Sequence, residues 1–280
     1  MRLHTIITVE LEKIFRRGRS YISFIAVFII ILLIMIGLKM EGQQLQDMIT
    51  ARLRDSFYFQ GNLINGYLIT YTSLNTLWIH VPILVVIVTG DLVSGESSAG
   101  TFRMLMTRPL KRHLLITAKF ICGLTYATLL VLFLAMISLG LGLIMFGKGD
   151  LLVFVGAVNI LPAEILISRF IMSFAYGILS MWTIAALSFV FSVIADNSLV
   201  PILASMAIII VFTIISNFDL EIFNSIKPIL FTTYLNDWQS FFAYELDYNR
   251  ILRASGVLLA HVFVFYVLSI WLFNRKDITT

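Results

Sequence analysis

Long apolar runs separated by polar stretches make up most of the chain, and they predict membrane-spanning helices. Tyr21 to Leu38 gives about 18 apolar residues, or about 27 Å of helix, close to the thickness of a hydrocarbon core. Tyr71 to Thr89, Leu114 to Phe146, Phe170 to Ala195, Leu199 to Ser216 and Ala254 to Phe273 give five more. The run from Leu114 to Phe146 exceeds the roughly 20 residues a bilayer needs, so its first turns, with Thr117 and Lys119, are expected to project beyond it. The expected fold is therefore all-α and polytopic, one transmembrane domain over residues 1–280 with six spans.

The polar stretches carry patterns of their own. Leu3, Ile6, Ile7, Leu11, Ile14 and Phe15 share one helical face, while Glu10, Lys13, Arg16 and Arg17 fall mostly elsewhere. This predicts an amphipathic N-terminal helix on the membrane surface, either a plain anchor or an elbow that also meets a partner. Lys39 to Thr70 reads as an extramembrane helix and a loop, with turns at Gly61-Asn62 and Asn65-Gly66. Leu151 to Leu161 is too short and broken for a span and reads as interfacial or as the start of the next hairpin. Between Asn217 and Arg253, Phe231, Tyr234, Leu235, Trp238, Phe241 and Phe242 recur at helical spacing. That predicts a re-entrant or interfacial helix with its aromatics at headgroup level.

Composition agrees with lipid as the solvent: 59% of residues are hydrophobic and 13% charged, with mean hydropathy +0.95. Soluble domains average about 45–50% apolar and about 25% charged. The single cysteine, Cys122, excludes an intramolecular disulfide and a cysteine-cluster metal site, and it reads as a small buried apolar residue. The net charge of +4 has no dense basic tract outside loops, so no nucleic-acid partner is expected. Twelve Lys and Arg flank one side of the predicted spans and eight the other. The richer side holds both termini and the loop after the second span, and basic flanks mark the cytosolic side.

Enzymatic readings fail on inventory. His4, His80, His113 and His261 are scattered, and H-E-x-x-H, G-x-S-x-G and G-x-x-x-x-G-K-S/T are absent, so neither a zinc protease nor an ATP-binding P-loop is encoded. No catalytic residue, metal or cofactor is expected. His80, beside Pro82, reads as hydrogen-bonded structure in a helix that the proline kinks. Few charges fall inside the spans, which argues against an ion-coupled carrier.

The stretch from Asp91 to Lys119 carries more pattern than a connecting loop needs. Gly95 and Gly100 bracket Glu96-Ser97-Ser98-Ala99, and Ala99, Phe102 and Met106 follow at helical spacing. Arg108-Pro109 stops that helix. Lys111, Arg112 and His113 lead to the next span, with Lys119 inside it.

Asp91-Leu92-Val93-Ser94-Gly95-Glu96, Gly100-Thr101-Phe102, Arg108-Pro109-Leu110-Lys111-Arg112 and Lys119-Phe120 together resemble the signature of type-two ABC exporter permeases. That signature reads roughly D-x-I-S-G-E, G-T-L, R-P-V/L-x-R and a lysine opening the third span. The match covers a stretch of about 30 residues, and Phe102 stands where leucine is usual.

The resemblance implies a non-catalytic permease subunit in the bacterial cytoplasmic membrane with both termini cytosolic. Its partners would be two copies of a cytosolic ABC ATPase, a second permease copy or related chain, and an optional extracytoplasmic auxiliary protein. Loop 91–119 would be the coupling element seated on the ATPase. Glu96 would complement the helix dipole and offer a charge to a basic pocket. Phe102, Leu105 and Met106 would supply apolar anchors, and Arg108 and Arg112 would pair with carboxylates or lipid phosphates. Alternatives of other classes are a non-transporting platform linking an ATPase to an extracytoplasmic partner and an ion-coupled carrier or channel.

Overall fold

The computed structural model describes residues 3–51, 63–100 and 111–276. Helices α1 (Leu3–Arg16), α2 (Gly18–Ala51), α3 (Gly66–Thr89), α4 (Ser94–Ser98) and α5 (Arg112–Phe146) come first. Strands β1 (Leu151–Val155) and β2 (Ala157–Leu161) follow, then helices α6 (Ala163–Ile194), α7 (Leu199–Asn217), α8 (Thr232–Leu235) and α9 (Tyr248–Arg275). Short 3-10 turns surround α8.

Six of the described helices are long and apolar enough to cross a membrane: Gly18–Gln44 within α2, and all of α3, α5, α6, α7 and α9. The chain is a multi-pass helical membrane protein. Several helix ends extend past the apolar runs, and polar side chains cap two of them. Asn65 is the cap of α3, its side chain accepting from the Tyr67 and Leu68 N–H groups, so Asn65-Gly66 starts a helix where the sequence reading put a turn. Asp247 caps α9 by accepting from Arg250 N–H, and α6 begins at Ala163, seven residues ahead of the expected Phe170. The extramembrane helix expected after Lys39 is the continuation of α2; Gly61-Asn62 lies outside the described residues.

Among the described residues, the strand structure is at Leu151 to Leu161. This stretch is an antiparallel hairpin that turns at Gly156 (φ +70°), with Leu151 opposite Leu161 and Val153 opposite Asn159. Leu151, Val153 and Leu161 are buried, whereas Phe154, Val158 and Ile160 face outward. Strict alternation is the strand signal, and it was masked because both faces are apolar. A lone hairpin is marginal, and this one is tied down. Asn65 Nδ2 donates to Asp150 O (2.7 Å), Asp150 Oδ1 accepts from Ala163 N–H (3.0 Å) and Asn159 Oδ1 accepts from Tyr244 N–H (3.1 Å).

Helix α6 is the axis of the bundle. In its most apolar window 72% of residues are buried, against 17% in the corresponding windows of α7 and α9. Its buried positions include Ser173, Gly177, Ser180, Thr183, Ala185, Ala186, Ser188 and Ser192, small residues that let neighbouring helices approach. A close backbone approach also joins α3 and α5. A Cβ on Gly66 would sit 2.5 Å from the Gly142 carbonyl carbon, and Gly66 N–H donates to Gly147 O (2.9 Å). Gly142 thus serves the close packing expected of it, while a Cβ on Gly140 would meet nothing within 4 Å.

The aromatic segment differs from the expected interfacial helix. Phe231, Leu235, Trp238, Phe241 and Phe242 are buried in the bundle, and only Tyr234 stays half-exposed. Trp238 packs on Tyr71 and Trp78, and Phe242 on Tyr71 and Phe170. Helical spacing shows that residues share a face, and it does not say whether lipid or protein covers that face. The backbone here is α8 and a 3-10 turn, Asn236–Phe242, held by polar contacts at four points. Tyr176 OH donates to Tyr234 O (2.7 Å), Ser173 Oγ to Trp238 O (3.4 Å), Arg169 to the Phe241, Ala243 and Tyr244 carbonyls, and Arg250 pairs with the buried Asp237 (2.6 Å).

Candidate functional site

Because the crossing helices alternate in direction, one end of the bundle gathers α1, segment 90–100, the start of α5, the α6–α7 turn and the end of α9. A second apolar cluster forms there from Ile6, Ile14, Leu92, Val93, Leu115, Ile116, Phe189 and others. Helix α1 lays Ile6 and Ile14 against it, so part of the face expected on lipid is covered by protein. Glu10 sits between them at four-residue spacing and is buried too, not on the outer face.

Charge burial makes this end distinctive. Lys119 is 1% exposed, so it does not project from the bundle; it lies at the centre of a four-residue cluster. Its Nζ donates to Glu10 Oε2 (2.6 Å) and to Leu92 O (3.0 Å), and lies 2.9 Å from Glu96 Oε2. Lys13 completes the set by donating to Glu10 Oε1 (2.6 Å) and Glu96 Oε1 (3.0 Å). Two carboxylates thus share two ammonium groups, and the unit carries no net charge. Burial by itself would raise the Glu96 pKa, but Lys119 and then Lys13 outweigh it and hold the carboxyl below its ordinary value. Burial would lower that of Lys13, but Glu10 and then Glu96 overcome it and hold the ammonium above its ordinary value.

A second ion group lies one turn away in the chain. Asp91, 2% exposed, pairs with Arg17 and, at 2.8 Å, with Arg19. Gly95 lies directly over it, where a Cβ would collide with the Asp91 carboxylate. Ser192 Oγ of α6 accepts from the N–H groups of Val93 (3.0 Å) and Ser94 (3.1 Å). Lys276 closes the same end by donating to the Val193, Ile194 and Ala195 carbonyls, capping α6 where its dipole favours a cation.

The structure therefore brings Asp91, Glu96 and Lys119 together, and it turns all three inward. Glu96 is 5% exposed, and its carboxylate meets Lys13 and Lys119 of its own chain. Helix α4 ends at Ser98, where Gly100 is in the left-handed region (φ +66°) and its N–H donates to Ser97 O (3.0 Å); the stop expected at Arg108-Pro109 lies outside the described residues. Arg112, Lys111 and His113 are exposed at the start of α5. Thr101, Phe102, Leu105, Met106, Arg108 and Pro109 lie outside the described residues. Glu10, Lys13, Arg17 and Arg19 are the site residues that sequence reasoning missed. Their only local sign was an acidic residue at four-residue spacing between two isoleucines.

The histidines inside spans make local bonds, His80 Nδ1 to Thr76 O and His261 Nδ1 to Val257 O, both 2.8 Å. Cys122 is buried, with Sγ 3.5 Å from Ile7 O. Among the described residues no group of three His, Cys, Asp or Glu side chains could hold a metal.

Over 202 residues the chain is 27% identical to "Uncharacterized protein YhcI" of Bacillus subtilis (strain 168), covering 69% of this chain and 63% of that protein. The chain thus spans less than two thirds of the length of this curated relative. Residues 49–279, running from the end of α2 past α9, match the family described as "Protein of unknown function (DUF2705)", and the chain belongs to that family.

Proposed function

We propose that this chain is the membrane-spanning permease subunit of an ATP-driven exporter whose ATPase is a separate cytosolic chain. The observation that carries this reading is the fastening of segment 91–98 to four helices at once. Glu96 holds α1 and α5 through Lys13 and Lys119, Asp91 holds the start of α2 through Arg19, and Ser192 ties the segment to α6. A force applied at the connection between α3 and α5 is passed into the bundle instead of being lost in a slack loop. Helix α5, 35 residues and so about 52 Å long, is longer than the hydrocarbon core and makes a rigid lever.

In this reading the basic end of the bundle is cytosolic, with both termini. Helix α1 is an elbow clamped to the coupling segment. The surface that meets the ATPase is formed by Arg112 with Phe102, Leu105, Met106 and Arg108, whereas Glu96 acts inside the chain as the fastening. ATP-driven closure of two ATPases would press on two such ends and shift the helices against each other.

The test is affinity purification of the detergent-solubilised chain from its native host, with mass spectrometry of what accompanies it. A co-purifying P-loop ATPase, lost in a Phe102→Asp, Arg112→Glu double variant that still inserts and melts normally, is the expected result. A chain that purifies alone and moves solute without ATP sinks the reading. ATPase association without ATP-dependent transport in vesicles would instead identify the platform alternative.

A further inference from the structure

The helix faces of α3 and α7 leave a groove of about 540 Å³ between them, floored by the rings of Trp78 and Trp238. Its volume falls in the range of about 300–1,000 Å³ typical of small-molecule sites. Helices α3 and α7 run in opposite directions, so residue numbers give depth. Pro82, Ile83, Met206, Ile209 and Ile210 line the part near mid-bundle. The amides of Asn75, Asn217, Asn236 and Gln239 gather at the end that carries the aromatic segment, with Thr213 and Thr232. Gln239 Nε2 donates to Asn75 Oδ1 (2.9 Å), which joins α3 to the aromatic segment across that mouth.

Three features define an occupant. Among the described residues no Asp, Glu, Lys, Arg or His lines the groove, so an ionised head would find no counter-charge in that lining. Ile79, Ile210 and Ile214 are each more than half exposed, so the groove opens sideways to the bilayer. From Asn217 to Met206 helix α7 rises about 16 Å, close to half of a hydrocarbon core about 30 Å thick, which is the depth of one leaflet.

The geometry points to a binding site for a neutral amphipathic lipid. Its acyl chain lies along Pro82, Ile83, Met206 and Ile210, and its uncharged ester or hydroxyl head sits at the amides of Asn75, Asn236 and Gln239. The site requires only the bilayer and this chain, and it holds whether or not an ATPase is coupled to the other end.

The experiment uses the full chain in nanodiscs with two photo-crosslinking lipids of identical diazirine-bearing acyl chains, a monoacylglycerol and a phosphatidate. Labelled peptides are mapped by mass spectrometry. Expected is monoacylglycerol labelling concentrated on residues 75–83 and 206–217, with phosphatidate labelling of these peptides about fivefold weaker because its head finds no cation. Unlabelled monoacylglycerol competes with the first signal on the unaltered chain, a control that does not depend on any variant folding. Ile210→Trp, which fills the groove, removes the signal, and Ile171→Trp, on an exposed position of α6, leaves it unchanged. Labelling spread evenly over all outward-facing helices, equal labelling by the two probes, or no competition overturns the proposal.

Discussion

Lys119 Nζ lies 2.6 Å from Glu10 Oε2 across 109 residues of sequence, and both side chains are almost completely buried. The pair joins the N-terminal helix to the third crossing helix, and Glu96 enters the same contact from the connection between the second and third crossing helices. A buried pair adds little over an apolar one of the same shape, but removing one member leaves an uncompensated charge.

Lys119→Met is therefore expected to destabilise the chain by about 3–5 kcal/mol, since Lys13 alone cannot balance two buried carboxylates. Thermal unfolding in detergent should show a clear loss for the single variant and partial recovery in Glu10→Leu, Lys119→Met. If the single variant melts with the parent chain, the cluster does not fasten α1.

The same cluster sets a pH window. Glu96 titrates lower in the folded chain than in an unfolded one. Its contribution is full above the ordinary carboxylate range near pH 4 and is lost as pH falls through its depressed value. Lys13 titrates higher when folded, so its contribution is complete below about pH 10 and is lost as pH rises through its raised value. Melting temperature plotted against pH should be flat between these limits and fall at both, and Glu96→Gln should remove part of the acid limb. A profile unchanged by Glu96→Gln would contradict this account.

Gly66 and Gly142 are in backbone contact, so Gly66→Ala must separate α3 from α5. Overpacking of this kind costs about 1–3 kcal/mol. Gly140→Ala, two residues from Gly142 with open space around it, should be neutral or slightly stabilising, because alanine favours helix. Equal melting of Gly66→Ala and Gly140→Ala would show that the two helices do not meet here.

Trp238→Ala should destabilise by about 3–5 kcal/mol, the range for a buried tryptophan, because it removes the ring that Tyr71, Trp78 and Phe242 pack against. A residue at headgroup level would lose far less. Comparison with Tyr244→Ala, a largely exposed aromatic six residues on, makes the distinction in the same melting assay.

The six crossings and their order were legible in the chain because bilayer thickness fixes the length of an apolar run, and each run announces itself locally. The end of α4 at Ser98 was not, since the helical spacing of Ala99, Phe102 and Met106 carried the expected helix on to Arg108-Pro109. The sequence also marked Asp91, Glu96 and Lys119 as belonging together through their shared pattern. Only the tertiary structure decided that these charges turn inward, because their partners Glu10, Lys13, Arg17 and Arg19 lie far back in the chain, in α1 and at the start of α2. It alone decided that the aromatics from Phe231 to Phe242 fill a core, since an apolar face looks the same whether lipid or protein covers it. The hairpin at Leu151 to Leu161 was hidden for the same reason, with apolar residues on both faces. The centrality of α6 was equally silent, because hydropathy records how apolar a helix is and not how many neighbours surround it.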